Sequence, residues 1–145
     1  MTAVILHPRL QEIADDFNAV DGQDRLELLL EFSQELPPLP ARYTEQHDLL
    51  EPVPECQTPL FLAAEVEPDA TVHLFFDAPR EAPTTRGFAG ILYAGLDGLN
   101  ADEVLDTPAE FTGQLGLQDL VSPLRLRGMA AMLGRIKRQI RQQRS

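Results

Sequence analysis

The sequence predicts an α+β fold: a single domain over residues 1–145, in which helices cover one face of a small antiparallel sheet. Three observations predict it. Helical periodicity opens the chain, two alternating segments joined by a turn occupy its middle, and a long amphipathic segment with a strong start signal closes it.

Each element follows from local chemistry. From Pro8 to Val20, Leu10, Ile13, Ala14 and Phe17 recur at helical spacing, and Pro8 suits a first turn. Asp21-Gly22 breaks this helix. A second helix is expected from about Gln23 to Leu36, with Asp24 and Glu27 at capping-box spacing and Leu26, Leu29, Leu30 and Leu36 as its apolar face. Pro37-Pro38 stops it. Residues 37–55 are rich in proline and charge and show no period, so they read as a long functional connection. Leu60–Val66 and Thr71–Ala78 read as an antiparallel hairpin around Pro68-Asp69-Ala70. A loop is expected from Ala82 to Gly87. Gly87 to Leu96 then reads as a helix apolar almost all round, and hence buried. Asn100 and Glu103 repeat the capping spacing for a short helix ended before Pro108, and Ala109–Leu115 suggests another. Ser122-Pro123 places an N-cap before proline at the first helical position of a last helix running to about Gln142.

Composition narrows the function. At 43% hydrophobic and 24% charged residues, the chain can build a core and is not expected to be disordered. Met1 to His7 has no basic leader region, and no apolar run approaches the roughly twenty residues of a membrane span. These points, with a lone unpaired cysteine, predict a cytoplasmic protein that needs no membrane. Net charge is −11, yet residues 123–145 hold seven basic side chains and no acidic one. The acidic remainder would repel phosphate, so no nucleic-acid partner is expected, and the basic run reads as a solvated helix face. There is no glycine-rich phosphate loop. One cysteine and three scattered histidines lack metal-ligand spacing, so neither a metal nor a cofactor is expected.

The chemistry converges on Cys56. It lies in Glu51-Pro52-Val53-Pro54-Glu55-Cys56-Gln57-Thr58-Pro59, where three prolines disfavour a helix or a central strand. A surface loop, and therefore a reachable thiol, is expected; a buried, inert cysteine, the ordinary state of an isolated intracellular thiol, is the alternative. A reactive thiolate needs a cation, a helix N-terminus or local donors. Arg125, just inside the last helix, and Arg86 are the candidates from spacing, with an ordinary surface ion pair as the alternative for both. Cysteine hydrolase chemistry would want a histidine base. His7 falls in a terminus expected to fray, His73 lies on a strand, and only His47, in the long connection, is placed to approach Cys56.

Val53-Pro54-Glu55-Cys56-Gln57-Thr58-Pro59-Leu60-Phe61-Leu62 resembles the cysteine loop and first strand of the SufE family of sulfur acceptors, which typically reads V-x-G-C-Q-S. Leu26 to Pro40 is similar to its helix followed by L-P-x-L-P. Gly87-Phe88-Ala89-Gly90-Ile91-Leu92 resembles its buried helix, and Ser122-Pro123-Leu124-Arg125-Leu126-Arg127-Gly128-Met129 resembles its S-P-x-R-x-x-G-M start of the last helix. The resemblance implies an α+β fold similar to that of iron–sulfur scaffold proteins. It also implies that Cys56 accepts sulfane sulfur from a cysteine desulfurase, a pyridoxal-phosphate enzyme. The chain would stimulate that enzyme and deliver sulfur to the iron–sulfur assembly machinery, as an accessory carrier more than a stand-alone enzyme. Gln57 and Thr58 would support the loop, Arg125 would match a family arginine near the cysteine, and Glu81 would fall near an acidic position of the second loop. The chain departs from the pattern at Glu55, where the family has glycine. That change removes easy access to positive φ and sets a carboxylate beside the thiol, which discourages its ionisation. Two other readings stay open: a rhodanese-type donor in place of the desulfurase, and a non-catalytic adaptor that docks partners through its charged surfaces.

Overall fold

The structure is a computed structural model that describes residues 6–144; the leader reading of the first five residues lies outside them. The predicted α+β architecture holds. Helices α1 (Pro8–Asn18) and α2 (Gly22–Gln34) open the chain, and the short α3 (Ala41–Glu45) follows. Strands β1 (Glu51–Pro52), β2 (Phe61–Val66) and β3 (Val72–Asp77) form one antiparallel sheet in that order. Helices α4 (Pro83–Leu96), α5 (Ala101–Leu105) and α6 (Pro123–Arg144) complete it.

Strand register separates two faces. Leu62 pairs with Phe76, Ala64 with Leu74 and Val66 with Val72, and this face meets the main core. Against it lie Phe88, Ile91 and Leu92 of α4 and Met129, Met132, Ile136 and Ile140 of α6, all buried. Burying side chains of this size is the dominant stabilising term, at about 1.5–3 kcal/mol each. The opposite face is not bare. Ala63 packs with Tyr43 and Leu50, with Phe61 and Phe75 alongside, so α3 and its neighbours cover part of it.

β1 pairs with only the first two residues of β2, which leaves backbone groups further along β2 without a strand partner. Glutamines of α6 supply the bonds: Gln139 Oε1 accepts from Ala64 N (2.7 Å), and Gln143 accepts from Val66 N (2.9 Å) and donates to Ala64 O (2.6 Å). On β3, Asp97 accepts from Leu74 N at 2.7 Å. Side chains thus blunt both sheet edges.

Several boundaries differ from expectation. The N-cap of α2 is Asp21, without a side-chain cap bond, so Asp24 sits in the first turn and forms no capping box with Glu27. Leu30 is exposed, because the helix buries its Leu29 and Ser33 side instead. Residues 37–55 contain α3, a 3-10 turn at His47–Leu49 and β1, where no structure is expected from the pattern; each piece is too short to show a period. The predicted loop at 82–87 is mostly helix. Pro83 starts α4 behind Ala82, a residue that offers no capping signal. Ala109–Leu115 is helical, of the 3-10 kind. The Asn100–Glu103 capping box is present in full, and Ser122 Oγ accepts from Arg125 N at 3.3 Å.

Candidate functional site

The cysteine loop is the connection between β1 and β2. Val53 N donates to Leu60 O at 2.9 Å and closes its base, and both residues are buried. Between them, Pro54–Cys56 forms a 3-10 turn in which Cys56 N donates to Val53 O (3.1 Å) and Gln57 N to Pro54 O (3.0 Å). Gln57 then adopts φ +59°, the left-handed conformation that turns the chain toward β2. The positive φ therefore falls at Gln57 and not at Glu55, which sits in ordinary helical-type backbone.

The turn aims the thiol inward. Cys56 is 8% exposed, against the expected reachable thiol. Proline limits the shapes of a loop but does not decide which side faces the protein. Here that side meets α6 at Gly128, where a Cβ would lie 3.1 Å from both Cys56 Cα and Sγ. Glycine lets the helix backbone approach. Burial pushes the Cys56 thiol up to about 11; the Glu55 carboxylate adds to the rise, and the Arg135 guanidinium opposes it. At neutral pH the resting group is a protonated thiol under cover.

Arg135 is the residue that the sequence reading missed. Its Nη1 donates to Glu55 Oε2 at 2.9 Å, and its Nε lies 3.1 Å from Glu51 Oε2, close enough for charge attraction but without hydrogen-bond alignment. Glu51 is also held by Arg138 and by Gln139 Nε2 (2.9 Å). Burial pushes the Glu51 carboxyl up, but Gln139, Arg138 and Arg135 outweigh it and hold the group below the usual carboxylate range; Glu55 is also held low, first by the loop's own backbone hydrogen bond and then by Arg135. The signal lay in the spacing: Arg135 follows Gly128 by seven residues, close to two turns, so one stripe of α6 carries both. On the other side of the loop, Thr58 Oγ1 donates to the buried Thr85 hydroxyl at 3.4 Å, a long bond to the first turn of α4.

The other candidates stand apart. Arg125 is exposed in the first turn of α6, and its side chain makes no hydrogen bond or ion pair with the described residues. Arg86 donates to the carbonyls of Ser33 (2.8 Å) and Ala78 (2.6 Å), tying α4 to α2 and to the end of β3. Glu81 is exposed in the turn before α4. His47 Nε2 lies 2.7 Å from Asp77 Oδ2 with its ring against Phe61, and it makes no hydrogen bond to Cys56, so a cysteine–histidine pair is not assembled. His73 faces Glu67 at 3.1 Å. His7, expected to fray, instead caps α1 by accepting from Arg9 N at 3.2 Å and meets Glu103 at 3.0 Å. Among the described residues no cluster of histidine, cysteine and carboxylate side chains is arranged to hold a metal, and no helix is long and apolar enough to cross a membrane.

Comparison with known proteins agrees with this architecture. The SufE family model, described as an Fe-S metabolism associated domain, matches residues 11–140. An uncharacterized SufE-like protein of Mycobacterium tuberculosis is 56% identical over 133 residues, covering 92% of either chain. SufE-like protein 1 of Arabidopsis thaliana, chloroplastic/mitochondrial, is 30% identical over 129 residues, which are 88% of this chain and 33% of that longer one. A solution structure of a hypothetical protein from Thermus thermophilus superposes with a TM-score of 0.83 at 39% identity, covering 95% of this chain and 97% of the other. With the family pattern matched across nearly its whole length and the fold shared, the chain belongs to the SufE family of proteins associated with iron–sulfur metabolism.

Proposed function

We propose that this protein is a sulfur carrier in which Cys56 accepts a sulfane sulfur from the persulfide of a cysteine desulfurase, stimulates that enzyme by clearing it, and hands the sulfur to iron–sulfur cluster assembly. The observation that carries the reading is the position of the chain's sole cysteine: in a short turn of the loop that Val53 and Leu60 close between β1 and β2, buried against α6 but outside the strand ladder. Family membership supports it.

In the transfer the Cys56 thiolate attacks the terminal sulfur of the donor persulfide. A bond from Cys56 Sγ to that sulfur forms, the donor S–S bond breaks, and its electron pair leaves on the donor thiolate, which takes up a proton. The sulfur moves without net oxidation or reduction. With the thiol pushed up to about 11 at rest, the step requires the loop to swing out, where water and the donor's site restore the thiolate. Val53 and Leu60 mark the base of that movement, and proline in the loop limits the entropy lost on insertion. The chain has no second cysteine to discharge the persulfide internally.

Intact mass spectrometry after incubation with a desulfurase and free cysteine tests the proposal. The wild type is expected to gain about 32 Da, one sulfur atom, and Cys56→Ser to gain none. Equal labelling of the two, or none in either while the desulfurase turns over, would reject it. An adaptor would keep its full effect in Cys56→Ser.

A further inference from the structure

The Glu55 carboxylate crosses from the cysteine turn to α6. We infer that Glu55 and Arg135 form a latch that positions the cysteine turn in its tucked state, so that release of the thiol is an ion-pair opening. The inference rests on the sulfur-carrier reading for its purpose, but not for its test.

The geometry is asymmetric in a useful way. Arg135 is 22% exposed and is already oriented by Glu51, which Arg138 and Gln139 hold in turn on β1. The guanidinium therefore stays in place when Glu55 leaves. Glu55 is 45% exposed and has Arg135 as its ion-pair partner among the described residues. The turn's other contacts carry no charge: the 3.4 Å bond from Thr58 to Thr85, the Cys56–Gly128 packing, and the burial of Cys56 in the main core. An exposed pair of this kind is a modest, salt-screened interaction. Such a strength suits a loop that must stay closed alone and open on a partner. A residue without a carboxylate at position 55 would lack this grip altogether.

The latch makes a prediction that separates it from a mere charge effect on the thiol. Glu55 disfavours the thiolate and Arg135 favours it. Removing them should thus move thiol ionisation in opposite directions, while both removals should loosen the turn. Amide hydrogen exchange at Cys56 and Gln57, whose N–H groups are bonded inside the turn, reads loosening when each rate is divided by that of the same unstructured peptide in the same salt. With the free protein and no partner, Glu55→Gln and Arg135→Gln are each expected to speed exchange there by about two- to fivefold, and the double variant by no more than the larger single effect. Wild-type exchange at these amides should also quicken as ionic strength is raised to about 1 M, where screening acts over about 3 Å, and Glu55→Gln should be insensitive to that change. Thermal unfolding checks that each variant is folded; if Arg135→Gln is not, Glu55→Gln and the salt series decide. Unchanged exchange in Glu55→Gln, or equal salt responses in the two proteins, would overturn the latch even if sulfur transfer is confirmed. Failure of sulfur uptake would leave these exchange rates as they are.

Discussion

Helix α4 meets α2 through Gly87 and Gly90, whereas α6 meets the cysteine turn through Gly128, and the two contacts differ in what stands opposite. A Cβ at Gly90 would fall 2.1 Å from the backbone oxygen of Phe32, and one at Gly87 would fall 2.7 Å from that of Leu29. Those neighbours are helix backbone, which cannot step aside without moving a whole element. A Cβ at Gly128 would meet Cys56 at 3.1 Å, in a loop closed at its base, packed into the core and joined to α6 by the Glu55–Arg135 ion pair. The same residue type thus makes a junction between two helix backbones in one place and a seat for a loop in the other. Side-chain bonds follow the same division. Arg86 ties α4 to α2 and to the end of β3 by donating to two carbonyls, while Arg135 ties the turn through the Glu55 carboxylate.

Substitutions can break this contrast or sharpen it. The largest effect is expected at the helix junction. Gly90→Ala should cost more than about 3 kcal/mol, because α2 and α4 must separate to accept the methyl group. Urea unfolding reads this, and a loss under about 1 kcal/mol would mean that the helices yield as easily as the loop. Gly128→Ala should be mild by comparison, within about 1 kcal/mol, since alanine's better helix propensity offsets the crowding. Its effect belongs in the site: the turn should be pushed outward and Cys56 should react faster with iodoacetamide. A large loss of stability with no change in alkylation would show that the seat is as rigid as the junction.

A smaller effect concerns pH. The folded state binds the Cys56 proton more tightly than the ordinary thiol value of 9.0, with its own value at about 11. The resulting stability is complete below pH about 9 and is lost as pH climbs through about 11. The melting temperature of wild type should therefore fall more steeply over that interval than that of Cys56→Ala. Parallel slopes would place the thiol in a water-like setting at rest.

Much of the fold was legible because its signals are local. The hairpin announces itself through alternation around Pro68-Asp69-Ala70, and the Asn100–Glu103 box and the Ser122 cap through short-range hydrogen bonding. Illegible parts had signals too short or too weak: β1 spans two residues, and Ala82 offers no cap to mark the start of α4. For the site, Cys56 stood out by its proline setting, but Arg125 was the arginine suggested by spacing, and Arg135 is the one that reaches the loop. Arg135 lies in a run of basic residues that looks like any solvated helix face.

By itself, then, the amino-acid order determined the helices, the hairpin and the identity of the lone thiol, since propensity, capping and alternation act over a few residues. Tertiary structure alone decided that this thiol rests inward, that Gly128 receives it and that Glu55 finds Arg135 eighty residues away. The physical reason is distance along the chain: burial and ion pairing depend on which surfaces meet, and no local pattern encodes the meeting of a loop with a helix that the chain reaches so much later.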